Sequence, residues 1–231
     1  MAPTEAETMW DQWRALLAGL ATVPGPRWIS HPSAIHSAEN KAAQLAVARD
    51  VGLPVPLTIW TNHLDEARSF MQTARGVAAI KTVATAYWEI DGRPNFVFAR
   101  RASVDDLPAA DALAAAPVCV QQLINPKDDI RITVVGDRFF AAQRCVSDER
   151  ILDWRLQEQA PWAPFAVSRD FGERCVALTR ALGLRFAGID VVLAADGECI
   201  FIELNPNGEW GWLQSSDLPI GSAIADELCA G

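Results

Sequence analysis

Two apolar runs joined by a tight turn, each with a carboxylate inside it, constrain this chain more than any other feature. The stretch from Arg185 to Trp210 reads RFAGIDVVLAADGECIFIELNPNGEW. Phe186 to Leu193 is apolar apart from Gly188 and Asp190, and Cys199 to Leu204 is apolar apart from Glu203. Ala195-Asp196-Gly197 between them is a hairpin signal, because Asp-Gly readily adopts the positive φ of a tight turn. Side chains alternate across a strand, so Glu203 and Asn205 share a face, and pairing across the turn brings Asp190 beside them. Two carboxylates and an amide oxygen form an oxygen-only cluster that suits a hard cation such as Mg²⁺ held jointly with phosphates. The same letters also fit solvated strand ends, with Asn205-Pro206-Asn207-Gly208 as an ordinary turn.

The 231 residues, half of them hydrophobic, suffice for one large domain or two small ones sharing a cleft. A net charge of −9, with no basic run beyond Arg100-Arg101, argues against nucleic acid as a partner. No apolar run approaches a membrane span, and the first residues lack a basic and an apolar signal region, so a cytoplasmic protein without membrane attachment is expected. The five cysteines (Cys119, Cys145, Cys175, Cys199, Cys229) form no C-x-x-C pair and read as buried thiols in a reducing compartment. Neither a P-loop nor a G-x-G-x-x-G occurs. His31, His36 and His63 lie early in the chain, far from any nucleophile motif.

Period and punctuation give an α+β pattern. Helices are expected over Glu5–Leu20, from Ser37 as a cap to about Val51, over Asn62–Thr73 with Asn62 as cap, over Asp170–Leu182 and over Ile220–Cys229. Strands are expected at Val77–Val83, Val118–Ile124, Ile130–Val135 and Arg138–Val146, with Asn125–Asp129 as a turn and Thr85–Ala99 as a hairpin about Asp91-Gly92. Lys81 is the one charge in an otherwise apolar strand, costly to bury unless it faces an anion; a lysine snorkelling to solvent is the alternative. Arg131 alternates with apolar neighbours and so faces away from the core of its strand.

The ordered set G-x-D at 188–190 and E-x-N-P-N-G at 203–208 resembles the metal-binding end of the ATP-grasp ligases. ELNPNGEWGW followed by DLPI and SAIADEL most resembles the ATP-grasp enzymes that mature ribosomal peptides of the microviridin (graspetide) type, relatives of the ribosomal-protein glutamate ligases. The resemblance implies an ATP-grasp fold with nucleotide between two lobes. Residues 1–36 would be a helix and linker, 37–116 the small lobe, and 117–231 the C-terminal lobe with an antiparallel sheet and the metal site. It starts near Trp28, where the maturases carry a further N-terminal domain upstream, so 1–36 would be the remnant of that region.

The same resemblance implies roles for residues. Asp190, Glu203 and Asn205 would hold Mg²⁺, and Lys41 (in SAENK) and Lys81 (in VAAIKTV) would reach the phosphates of ATP. Gln121, Gln122, Leu123 and Ile124 would form the hinge that holds adenine through its backbone; Gln122 and Leu123 stand where an acidic residue and an aromatic are common. Asp129 would contact ATP at the ribose. Arg131, Arg144 and Arg155 would lie over phosphates or the reacting carboxylate, where cations stabilise charge on a moving phosphoryl group and guanidinium can bind in a bidentate way. The implied reaction activates a carboxylate as an acyl phosphate and joins it to an amine or hydroxyl, forming amide or ester cross-links in a ribosomal precursor peptide. A ligase for free amino acids or a protein terminus stays open, as does a non-catalytic nucleotide- or peptide-binding partner of a larger ligase. Self-association or a partner protein is also compatible with the resemblance.

Overall fold

The structure is a computed structural model describing residues 5–25, 27–83, 87–90, 93–96, 98–146, 152 and 160–230, with backbone alone at 87–90 and 93–96. Helix α1 (Glu5–Leu20) has the expected bounds and no buried residue. Its stripe of Met9, Trp10, Trp13, Leu16, Leu17 and Leu20 is at least half exposed at every position. The helix expected from Ser37 is two helices, α2 (Pro32–Ala38) and α3 (Lys41–Asp50). The break falls at Asn40, whose side-chain oxygen accepts from the Ala43 amide at 3.0 Å and caps α3; Ser37 bonds back to the Ser33 carbonyl instead.

The first sheet contains β1 (Thr58–Thr61), β2 (Val77–Thr82), β5 (Arg100–Ser103) and β6 (Val118–Gln122), in the order β1-β6-β2-β5 with every pair antiparallel. Helices α4 (Leu64–Thr73) and α5 (Ala110–Ala114) cover it through Ala67, Met71 and Leu113, packed on Ala78, Ala102 and Val120. Helix α4 starts after His63, and Asn62 donates to the Ala114 carbonyl at 3.3 Å rather than capping it. A separate hairpin pairs β3 (Tyr87–Ile90) with β4 (Arg93–Phe96); Thr85 and the Asp91-Gly92 turn lie outside the described residues.

The second sheet is antiparallel in the order β11-β10-β7-β8-β9, with β7 (Pro126–Val135), β8 (Arg138–Cys145), β9 (Ala163–Pro164), β10 (Phe186–Ala194) and β11 (Cys199–Asn205). Asn125–Asp129 is therefore not a turn: β7 begins at Pro126, because Asp128 and Asp129 pair with β8 and β10 on both sides. Positive φ at Gly136 (61°) and Gly197 (91°) closes the two hairpins. One face carries Ile130, Ile132, Val134, Ile189, Val191, Phe201 and Leu204 into the main core, against α3 and α6 (Arg169–Ala181). Part of the opposite face packs Val135, Phe140, Ala142 and Phe186 on α7 (Ile220–Cys229). The rest of that face is polar and holds the candidate site.

Sheet membership divides the chain differently from the boundary expected at 116/117. Strand β6 is central in the first sheet, while Ala38, Leu45 and Ala48 of α2 and α3 bury against the second. The apolar stripe of α3 needs an apolar sheet face, and the face it meets is that of Ile130 and Ile189. Among the described residues no helix is long and apolar enough to cross a membrane, and the five cysteines are free thiols.

Candidate active site

Three neighbouring strands bring opposite charges into one row. Asp190 on β10 lies directly across from Glu203 on β11 and, on its other side, from Arg131 on β7. Gly188, two residues earlier, lies across from Asn205. A β-bulge makes this register possible. Val191 pairs with Phe201 and Asp190 with Glu203, so Ile202 is a surplus residue that lets Phe201 enter the core while Glu203 faces the site.

Arg131 is 5% exposed, and its Nη1 donates to Asp190 Oδ1 at 2.7 Å. Its Nε has no hydrogen-bond partner among the described residues. Two glycines make room for it: a Cβ at Gly188 would lie 2.1 Å from Arg131 Nη2, and one at Gly208 would lie 2.5 Å from the same atom. The glycines of the G-x-D and N-P-N-G motifs thus form a slot for a guanidinium.

Lys41 opens α3, where the helix dipole disfavours a cation, and its Nζ donates to Glu203 Oε2 at 2.8 Å. Lys81, half-buried on β2 of the first sheet, comes within electrostatic reach of the same group. Burial pulls its pKa below the ordinary lysine value; Glu203 and Asp190 oppose that shift, and Lys41 adds to it. Cys119, paired in register with Lys81, has its thiol pushed up by burial, which Lys81 and Lys41 partly counter.

Asn205 is exposed and its Oδ1 accepts from the Asn207 amide at 3.0 Å, which shapes the loop leading to Gly208. Asp190, Glu203 and Asn205 thus share one face of adjacent strands as an oxygen-only set, chemically suited to Mg²⁺. Among the described residues no group of three or more His, Cys, Asp or Glu is placed to hold a metal, so a cation here would need the amide oxygen with the two carboxylates.

Arg144 is also buried, at 3% exposure, rather than solvated. Its Nη2 donates to Asp129 Oδ2 at 2.6 Å, and its guanidinium lies 5.5 Å from the Trp162 ring centroid. Trp162 in turn packs on Trp212, with centroids 5.2 Å apart. Gln121 and Gln122 end β6 and tie it to the start of β1 and the residue before it: Gln121 Nε2 donates to Thr58 Oγ1 at 3.0 Å, and Gln122 Oε1 accepts from the Leu57 amide at 3.3 Å. Leu123 and Ile124, half-buried, follow as the connection between the two sheets. Arg155 lies outside the described residues.

A cavity of about 750 Å³ borders this row. Trp28, Phe186, Trp210, Trp212 and Ile224 supply its apolar wall, and Gly208, which backs onto Arg131, belongs to both. Sequence reasoning missed Gln44, which bonds to the backbone of β11 between Glu203 and Asn205. The available signal was an uncharged polar residue one helical turn after Lys41, among alanines and leucine.

A family model described as the RimK-like ATP-grasp domain matches residues 38–230. Among solved structures, a RiPP-associated ATP-grasp ligase of Chryseobacterium gregarium, in complex with ADP and a leader and core peptide, is 28% identical. It superposes with a TM-score of 0.86 over 96% of this chain and 69% of that one. The ATP-grasp ligase PsnB, complexed with minimal precursor, Mg and ADP, is 27% identical, with a TM-score of 0.71 over 99% of this chain and 75% of that one. A Frankia alni protein carrying the name glutamate–cysteine ligase 2-1 is 30% identical over 108 residues, 45% of this chain and 26% of that protein. The matches to curated relatives span about a quarter of those proteins.

Proposed function

Because the chain belongs to the RimK-like ATP-grasp family, we propose that it is an ATP-dependent ligase that activates a carboxylate as an acyl phosphate. The second substrate is an amine or hydroxyl, and the product an amide or ester cross-link in a ribosomal precursor peptide. The observation that carries this reading is the convergence of Lys41, Lys81 and Arg131 on Asp190 and Glu203, from one helix and four strands of two sheets. Three cations and two carboxylates around one point suit a metal–triphosphate, which brings its own charges of both signs.

In this reading Asp190, Glu203 and Asn205 hold Mg²⁺, which when bound supplies charge neutralisation to the phosphates. Lys41 and Lys81 bind phosphate oxygens. The residues Gln121 to Ile124 present backbone groups to adenine, and Asp129 faces the ribose. A substrate carboxylate oxygen attacks the γ-phosphorus, and the bond to the bridging oxygen breaks, so ADP leaves with the electron pair. The amine or hydroxyl then adds to the acyl carbon, loses its proton, and expels phosphate. Arg131, Arg144 and Arg155 stabilise the charge that builds up on the transferring group and the reacting carboxylate. None of these residues forms a covalent bond to substrate; orientation and electrostatics provide the catalysis.

The tryptophan-lined cavity beside Arg131 supports a peptide substrate, because it offers apolar surface that a small polar amino acid would not use. Two similar ligases solved with precursor peptides support the same substrate class. The match to a glutamate–cysteine ligase favours a second reading, ligation of free amino acids. A cytosolic setting belongs to the proposal, since ATP is abundant there and the thiols are free.

The test is calorimetric titration of the 231-residue chain with ATP, with and without Mg²⁺, followed by ADP release with candidate peptides or amino acids. Tighter binding with Mg²⁺ and peptide-dependent ADP release are expected. Absence of nucleotide binding in both conditions would overturn the ligase reading, and ADP release with free amino acids alone would select the second one.

A further inference from the structure

We propose that Gln44 is a positioning residue: its amide fixes β11 against α3 and thereby sets Lys41 relative to Glu203 and Asn205. The inference rests on the ligase reading above. Strand β11 is an edge strand, paired only with β10, so the outward N–H and C=O groups of its backbone need other partners. One is met at Phe201, whose amide donates to the Pro54 carbonyl at 2.9 Å. Beyond the bulge, Gln44 takes over. Its Nε2 donates to the Leu204 carbonyl at 2.7 Å, and its Oε1 accepts from the Leu204 amide at 2.9 Å.

The side chain therefore behaves as one residue of an added strand. Its remaining N–H donates to the Ala38 carbonyl at 2.7 Å, where α2 ends, so both donors of the amide are used. At 2% exposure no water competes for these bonds. Leu204 is the residue between Glu203 and Asn205, and Lys41 lies three residues before Gln44 on the same face of α3. One helix face thus grips the backbone between two candidate ligands with an amide, and one of those ligands with an ammonium. An edge seal of purely structural purpose would work anywhere along β11. Here it sits at the single residue whose placement orients both ligand side chains.

The experiment compares wild type with Gln44→Met, which keeps length and removes both hydrogen-bonding groups. Three quantities are read: the thermal midpoint, nucleotide affinity without metal, and the Mg²⁺ concentration that half-saturates nucleotide binding. The expected result is a folded variant whose Mg²⁺ half-saturation rises about tenfold, the usual scale for losing an outer-sphere support. Metal-free affinity should change less than about threefold. A lowered thermal midpoint with unchanged Mg²⁺ half-saturation would overturn the proposal and leave Gln44 a structural seal. Should the methionine variant fail to fold, Gln44→Glu serves. Protonated, it can still donate to one carbonyl while accepting from Leu204; ionised, it faces two carbonyl oxygens. Its Mg²⁺ half-saturation should therefore exceed that of wild type at about pH 9 and approach it as pH falls toward about 5. A ratio of unity at the higher pH, in a variant with a lowered thermal midpoint, would overturn the proposal. Failure of wild type to bind nucleotide at all would instead sink the ligase reading.

Discussion

Adding one methyl group at Gly188 should dislodge a buried cation of the site, Arg131. In Gly188→Ala the new Cβ meets Arg131 Nη2 at 2.1 Å and Cζ at 2.5 Å, whereas an ordinary contact is about 3.5 Å. The guanidinium must move by about 1.4 Å. A long side chain usually gives way cheaply, but Asp190 holds this one at 2.7 Å and Gly208 closes the other side. With the Arg131 side chain 6% exposed, losing Asp190 strands a buried charge, at a cost of about 3–5 kcal/mol. Replacing glycine within a strand returns roughly 0.5–1 kcal/mol, so the net loss should be about 3 kcal/mol. Urea denaturation of wild type, Gly188→Ala, Arg131→Met and the double variant measures it. The glycine substitution should cost at least about 2 kcal/mol less when Arg131 is already methionine. A cost below about 1 kcal/mol in wild type, or an equal cost in both backgrounds, would refute the slot.

Glu203→Gln should raise the Mg²⁺ needed for nucleotide binding by about tenfold or more, since it removes a charged ligand. Its stability should fall by no more than about 1 kcal/mol, because the Lys41 and Glu203 side chains are 31% and 30% exposed; calorimetry and a thermal melt read the two effects. Lys81→Met tests the buried ammonium. A base whose folded pKa is depressed contributes stability that grows as pH rises toward the ordinary value of 10.5 and is lost as pH falls through the depressed value. The variant should therefore lose that rise between neutral pH and 10.5 in urea midpoints, be more stable than wild type at neutral pH, and bind ATP about tenfold more weakly. Unchanged ATP affinity would return Lys81 to a lysine that merely snorkels to solvent.

Much of this architecture can be read from the letters, because its elements have strong local causes. The Asp196-Gly197 turn joins β10 to β11 where the pattern expects it, and α1, α4, α6 and α7 follow helical periods closely. The start of β7 was hidden because Asn125-Pro126 and Asp128-Asp129 are good turn formers. Pairing on both sides, with Arg144 beside Asp129, outweighs that preference. The candidate ligands announce themselves because a carboxylate in an apolar strand needs a reason. The supporting residues do not: Gln44 looks like any helix glutamine until the edge of β11 is seen beside it. Arg131 alternates with apolar neighbours as a surface residue would, and only the packing over Arg131 and Arg144 reveals that both are buried.

Ile202 gives β11 a change of phase. Up to Phe201 the strand sends odd-numbered side chains into the core, and from Glu203 onward it sends them to the charged face. The spacing E-x-N therefore acquires its meaning only downstream of one unpaired residue that is itself chemically ordinary. Ironing out the bulge while keeping that isoleucine would leave every motif letter in the chain while turning Glu203 toward the hydrocarbon side. A transplant of these letters onto a regular hairpin would meet the same fate, so the transferable unit is the carboxylate pair together with the irregularity that aims it.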